Sequence, residues 1–254
     1  MSRNPKHVVK TDATVLRIIE TVAELQGAGV TRIADRVDLS KSAVYKHLST
    51  LEQEEYLVKE GDDYHLGLRF VELGERARHR ERIYEIAKPQ IEQLAEETGE
   101  LALVMVEEYG EGVLLDSATG DDAIHLDARD GKVLPLHSNA LGKALLAHLP
   151  EERVAEILDR RGLPRSTSRT ITDRDELFAE LEAVRERGWA YTREERLSGV
   201  RCVAAPIIGA SGDACAAIGV AGPTSRLEGE RFSEEVPKQV LRAKNIVELN
   251  ATYE

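Results

Sequence analysis

The sequence predicts an α+β protein with two domains, a small helical module that ends in a β-hairpin and a larger domain in which strands and helices mix. Its 254 residues exceed what one small core accommodates. Apolar residues first recur at helical spacing, and further along the chain β-rich runs alternate with helix-period segments. We expect the first domain to cover residues 1–70, a linker helix to cover 71–88, and the second domain to cover 89–254.

Three amphipathic helices open the chain. The first begins at Thr11 and is broken by Gly27 and Gly29. The second begins at Thr31, and the third follows Ser40, a residue type that commonly accepts a hydrogen bond from the first turn of a helix. The inward-facing residues, identified by their spacing, are Val15, Ile18, Ile19, Val22 and Leu25 in the first helix, Ile33, Ala34 and Val37 in the second, and Val44, Leu48 and Leu51 in the third.

The third helix also has an outer face rich in hydrogen-bond donors. Lys41, Ser42, Tyr45 and Lys46 project from it, and their size and chemistry suit the major groove of DNA. Two β-like runs on either side of Gly61 then predict a hairpin. Three helices followed by a hairpin are the winged helix-turn-helix arrangement, which binds double-stranded DNA. A small domain that binds a protein partner is the alternative that spacing alone leaves open.

The junction between the domains is helix-prone. Pro89 predicts that the linker helix over residues 71–88 ends just before it. A basic cluster lies on the outer side of this helix, and it either approaches DNA phosphate or is an ordinary solvated face: Arg76, Arg78, Arg80 and Arg82.

The remaining residues predict an α/β sheet flanked by helices. We expect strands at residues 101–107, 112–116, 189–194, 201–208 and 214–221. We expect helices at residues 140–149, 151–161, 173–187 and 229–250. Thr172 and Asp175 form a candidate capping box for the third of these helices, and Pro237 is a candidate break in the last.

Two motifs of the first domain resemble a known family. Residues 41–48, with the sequence KSAVYKHL, and residues 64–70, YHLGLRF, resemble the recognition helix and wing of the IclR family of transcription regulators. The resemblance implies a homodimer, with a tetramer as a further assembly. It also implies that operator DNA is read by Lys41, Ser42, Tyr45 and Lys46, and that Thr31 and Arg32 contact the DNA backbone. For Arg3, Lys6 and Lys10 an arm along the duplex and plain disorder both remain open.

The second domain carries the same resemblance. Residues 134–147, 199–207 and 217–223 resemble the family's pocket segments and imply a GAF-like domain that binds a small-molecule effector. The implied pocket residues are Ala140, Leu141, Thr192, Cys202, Gly219 and Ala221, although tight strand packing is another explanation for the small ones. Backbone amides at a helix start favour an anion, so a small organic acid or sugar acid is expected, with control of a catabolic pathway as the function.

Other classes of function fit the sequence less well. Gly142 and Lys143 lack the preceding glycine and the following hydroxyl residue of a phosphate-binding loop. Cys202 is interpreted as a small buried hydrophobe, with a thiol nucleophile as the alternative. Three histidines, spaced eleven or twelve positions apart, match no metal motif: His125, His137 and His148. We therefore expect no enzymatic activity, no cofactor and no metal.

The net charge of −12 is unevenly distributed. Residues 1–70 carry ten basic and eleven acidic side chains, and the rest of the chain carries 24 and 35. The acidic surplus, with 4% aromatic residues, resembles proteins of salt-rich cytoplasm such as that of halophilic archaea, with an ordinary acidic cytosolic protein as the alternative. No apolar run approaches the ~20 residues of a membrane helix, so we expect a cytoplasmic protein without a membrane partner.

Overall fold

The chain divides between Ala77 and Arg78 into two compact units. The computed structural model describes residues 9–124, 126–210 and 212–253. No helix in these ranges combines the length and the apolar character needed to cross a bilayer.

The first unit is a three-helix module with a small antiparallel sheet of order β1-β3-β2. Its elements are α1 (Lys10–Glu24), β1 (Ala28–Gly29), α2 (Val30–Val37), α3 (Lys41–Gln53), β2 (Leu57–Glu60) and β3 (Asp63–Leu66). The hairpin of β2 and β3 is the predicted wing, so the winged helix-turn-helix prediction is confirmed. Strand β1 was not predicted, because two residues are too few to show a period.

Local chemistry defines both ends of the turn between α2 and α3. Asp38 ends α2 in the left-handed conformation, with a φ of 56°. Ser40 caps α3 as expected, since its Oγ accepts a hydrogen bond from the Ala43 N–H at 3.3 Å. The predicted inward residues of all three helices form one apolar core. Of the predicted arm, Lys10 is the first residue of α1, and Arg3 and Lys6 lie outside the described residues.

The segment after the wing forms two helices, α4 (Arg69–Arg80) and α5 (Ile83–Thr98). The prediction of one helix ending before Pro89 is therefore wrong, because the helical run breaks at residues 81–82 and α5 continues through the proline. Pro89 deprives the Glu85 carbonyl of its hydrogen bond, but both residues lie on the exposed side of α5, where water can replace the lost donor.

The second unit is built on a six-stranded antiparallel sheet of order β6-β5-β4-β9-β8-β7. Its strands are β4 (Leu101–Glu108), β5 (Glu111–Thr119), β6 (Val133–Leu134), β7 (Ala190–Arg193), β8 (Val200–Ile208) and β9 (Ala214–Pro223). Tyr109 and Gly110, both with positive φ, make the tight turn between β4 and β5. All strands that the sequence predicts are present, and β6 is a short addition.

Helices cover both faces of this sheet. The helices are α5 and α9 (Val236–Tyr253) on one face, and α6 (Ala140–Leu146), α7 (Glu151–Arg161) and α8 (Arg174–Arg187) on the other. Alternate residues of β4 accordingly enter different cores, with Val104 towards α5 and with Leu103 and Met105 towards α6. The predicted α/β domain is confirmed.

Two helix boundaries differ from the prediction. Asp173 caps α8, since its Oδ1 accepts a backbone N–H of the first turn at 3.0 Å. The hydroxyl of Thr172, the predicted cap, instead accepts a hydrogen bond from Arg165. A π-helical turn (Arg231–Glu235) leads into α9, which does not break at Pro237, because a proline in the first turn has no N–H to place.

A buried carboxylate joins the start of β4 to the segment that follows β9. Glu100 is fully buried, and it accepts two hydrogen bonds from Arg226, at 2.7 and 2.8 Å, and one from Arg231 at 3.4 Å. Two cations thus neutralise one desolvated anion, with the paired geometry that a guanidinium offers to a carboxylate.

We predict that Glu100→Ala lowers the free energy of unfolding by about 3 kcal/mol, because it leaves the two guanidinium groups without their carboxylate. Glu97→Ala is the control, since Glu97 forms a more exposed pair with Arg242 and its loss should cost less than about 1 kcal/mol. Urea denaturation of both variants measures the difference. Equal stabilities would show that the Glu100 cluster does not stabilise the fold.

Candidate nucleic-acid interface and ligand cavity

The exposed face of α3 carries the four residues predicted to read DNA. Lys41, Ser42, Tyr45 and Lys46 are all exposed, whereas Val44 is fully buried. Tyr45 leaves about half of its surface open to solvent, at 53%. Such exposure of a large aromatic residue on a cationic helix face suits contact with a partner, and the cations and hydroxyls beside it suit DNA.

The other two predicted DNA residues, Thr31 and Arg32, lie in the first turn of α2 and are also exposed. They share an open cleft with Lys59 of the wing and with the carboxylates of Asp62 and Asp63. The cleft therefore has mixed charge, and its hydrogen-bond donors are the side chains at the start of α2 and Lys59. The basic cluster at the junction differs, because three of its four predicted members, Arg76, Arg78 and Arg80, form ion pairs with carboxylates.

A small cavity of about 80 Å³ lies between the sheet and α6. Four of the six predicted pocket residues line it together: Leu141, Thr192, Cys202 and Ala221. One buried water needs roughly 10–15 Å³, so the cavity has room for roughly five to eight water-sized groups. Residues of α6, β7, β8 and β9 thus contribute to one cavity.

The other two predicted pocket residues, Ala140 and Gly219, are not on the cavity wall. Gly219 pairs with Leu103 on one side and Ala204 on the other, and a Cβ there would lie 2.5 Å from the Val203 carbonyl oxygen. Its lack of a side chain permits close strand packing, which is the alternative that the sequence left open. Ala140 is buried, and its backbone N–H faces the Cys202 thiol.

Burial dominates the chemistry of Cys202. It raises the pKa of the thiol to about 12, against a small opposing effect of the Ala140 amide. Such a thiol stays protonated at neutral pH and is a poor nucleophile. This supports the interpretation of Cys202 as a small apolar residue of the wall.

Arg196 is a cavity residue that the sequence analysis missed. It lies half-buried on the loop between β7 and β8, and burial lowers the pKa of its guanidinium, an effect that the charge of Asp127 opposes. Among the residues that the structure describes, no hydrogen bond or ion pair to its guanidinium is found. Its position between two predicted pocket strands was the one available signal, and it did not distinguish Arg196 from its exposed neighbours.

A buried ion pair lies beneath this loop. Lys143 of α6 is 1% exposed and donates to Glu195 Oε1 at 2.8 Å, with Glu180 at 3.9 Å. Burial raises the pKa of the Glu195 carboxyl, and the adjacent ammonium opposes that effect. Lys143 of the Gly142-Lys143 pair, which is not a phosphate-binding loop, therefore has a structural role. Gly142 permits close packing as well, because a Cβ there would lie 2.2 Å from the Leu136 carbonyl oxygen.

A larger cavity, of about 240 Å³, lies elsewhere in the second unit and contains none of the predicted residues. Its wall includes Arg160, Arg161 and His137. Arg161 is engaged by Glu111 and by the Tyr109 carbonyl, and burial lowers the pKa of His137. No three His, Cys, Asp or Glu side chains of the described ranges are grouped closely enough to hold a metal ion.

Comparison with known proteins covers both units. Residues 15–61 match the IclR helix-turn-helix domain, and residues 75–247 match the C-terminal domain of the bacterial transcriptional regulator IclR. The chain belongs to the IclR family. Members of this family are DNA-binding transcription regulators and not enzymes, and that description applies to this chain.

Individual relatives of the IclR family match along nearly the whole chain. The probable regulator ArcR of Halobacterium salinarum is 31% identical over 92% of this chain and 90% of its own length. The regulator KdgR of Escherichia coli is 33% identical over 87% and 85%. The crystal structure of the Thermotoga maritima IclR aligns with a TM-score of 0.79 at 28% identity, covering 95% of this chain and 98% of that one. The fold and the order of domains are thus those of the family.

We predict that the two thiols react at very different rates. At pH 8 a pKa of about 12 leaves roughly one Cys202 thiol in ten thousand ionised, and the side chain is 7% exposed. Partial burial of the thiol also raises the pKa of Cys215, but this residue is exposed to the reagent. Titration with Ellman's reagent should therefore release one equivalent rapidly from the folded protein and a second only in denaturant. Two rapid equivalents would contradict the burial of Cys202.

Proposed function

We propose that this regulator controls a catabolic operon and that a small organic acid or sugar acid in the cavity changes its affinity for operator DNA. The observation that carries the proposal is the convergence of Leu141, Thr192, Cys202 and Ala221 on one cavity. In this proposal Thr31 and Arg32 contact the DNA backbone, and the exposed face of α3 reads bases in the major groove.

The proposed regulator acts as a homodimer, with a dimer of dimers as a further assembly. Large apolar side chains of the first unit support this, because Leu16, Leu68 and Val71 are 60%, 85% and 58% exposed. Exposed apolar surface on this scale favours association. Two modules then bind paired half-sites, and the effector alters DNA affinity only by as much as it binds the two arrangements of the modules differently.

The experiment that tests the proposal is capture of genomic fragments by the purified protein, with and without a panel of organic and sugar acids at several salt concentrations. A shared palindromic site upstream of a catabolic operon, with occupancy altered by one acid, is the expected result. Captured fragments without a shared site would contradict sequence-specific binding.

We predict that Lys46→Ala weakens binding to the captured operator about 10-fold or more, because it removes a cation from the exposed face of α3. Lys238→Ala is the matched control, since Lys238 lies on α9 and pairs with Glu234, and it should leave DNA affinity unchanged. Fluorescence anisotropy measures both, and circular dichroism checks folding. Equal affinities of the two variants would remove Lys46 from the interface.

We predict that Cys202→Trp abolishes the effector response and spares operator binding, because an indole fills the small cavity from its wall. Cys215→Trp, at an exposed position, is the control that should respond normally. DNA binding with and without the active acid is the measurement. A full response of the Cys202 variant would show that the effector binds elsewhere.

A further inference from the structure

The polar groups of the cavity wall restrict what the cavity can bind. Four polar side chains reach it, but Asn139 is already engaged, since it donates to the Pro135 carbonyl at 2.6 Å and accepts the Gly142 N–H at 2.7 Å. Asp127 is engaged by Lys132 and Arg129. Within the described part of the chain, only Thr192 and Arg196 reach the cavity with polar groups that have no hydrogen-bond partner.

The rest of the wall is apolar. Seven leucine side chains line it, together with Val200, Ala128, Ala221 and the protonated Cys202. A ligand with several hydroxyl groups would bury most of them here without a hydrogen-bond partner, which opposes binding. An apolar ligand body, in contrast, would gain from contact with these side chains.

The loop that carries Arg196 is held in place from several sides. The hydroxyls of Thr167 and Thr170 donate to the Glu194 and Glu195 carbonyls at 2.7 and 2.6 Å. The Glu194 carboxylate accepts the Gly199 N–H at 2.9 Å, which closes the loop on itself. Together with the ion pair between Lys143 and Glu195, these bonds fix the backbone on which Arg196 stands. Because the backbone is already ordered, binding of an anion by Arg196 carries no cost for ordering the loop itself.

We infer that Arg196 binds the carboxylate of the effector, and that the effector is a monocarboxylate with an apolar body and at most one further polar group, not a polyhydroxylated acid. This inference rests on the proposed function and narrows its ligand class. A guanidinium pairs with a carboxylate through two parallel N–H donors, and the partly desolvated setting strengthens that pairing. Thr192 is the side chain that would bind the one further polar group.

The test compares matched small molecules by calorimetry on the full-length protein. Isovalerate is the apolar monocarboxylate, isovaleramide is its uncharged counterpart of the same size, and glycerate is a hydroxylated acid with the same number of heavy atoms. Wild-type protein should bind isovalerate at least 10-fold more tightly than either of the others. Arg196→Gln should lose at least 10-fold in isovalerate affinity, and Arg196→Lys should recover only part of it, because an ammonium lacks the paired donors.

Arg160→Gln is the matched control, since it removes the same charge from the wall of the larger cavity and should leave isovalerate affinity unchanged. A larger loss with Arg160→Gln than with Arg196→Gln, tighter binding of glycerate, or no isovalerate binding at all would each overturn the inference. Operator binding without any acid is measured in parallel. Retained operator binding in those cases leaves the proposed DNA function intact, whereas its absence in the wild type would contradict the proposed function itself.

Discussion

The placement of α6 against the loop between β7 and β8 depends on the buried ion pair of Lys143 and Glu195. The two residues lie 52 positions apart in the chain, one on α6 and the other on the loop between β7 and β8. Desolvated charges are costly when they lack a partner, so neither element can take its place without the other. Leu141 of α6 and Arg196 of the loop both line the cavity, so this pairing holds two parts of its wall together.

The alternation of side chains along the strands determines what the cavity can contain. Leu101 and Leu103 of β4, Cys202 of β8 and Ala221 of β9 face the same side, because the antiparallel register places Leu101 opposite Ala221 and Ala221 opposite Cys202. A slip by one residue would move all of them to the other core. The small side chains of Cys202 and Ala221 leave room for the cavity, and the leucines make its wall apolar.

The parts of this arrangement that local pattern determines could be predicted from the sequence. Ser40 caps α3 and the wing turns at Gly61, because capping and turn chemistry depend on neighbours in the chain. The effect of Pro89 was misjudged because a helix tolerates an internal proline where water can replace the lost hydrogen bond. Whether a position faces solvent depends on tertiary packing, which the local sequence does not reveal. Arg196 was missed for the same reason. Among the described residues its guanidinium is half-buried without a hydrogen bond or ion pair, and the loop that carries it is held by Thr167 and Thr170, which are distant in sequence.

The distribution of charge bears on how a small ligand could control DNA binding. Residues 1–70 are close to neutral and the rest of the chain is strongly acidic, so long-range attraction to DNA is weak. In the proposed regulator, affinity must then come from short-range contacts of α3 and the start of α2 with paired half-sites. Such contacts depend steeply on the placement of the two modules. A ligand that fills about 80 Å³ needs only a modest preference for one arrangement to change operator occupancy, because a difference of about 1.4 kcal/mol is tenfold in affinity.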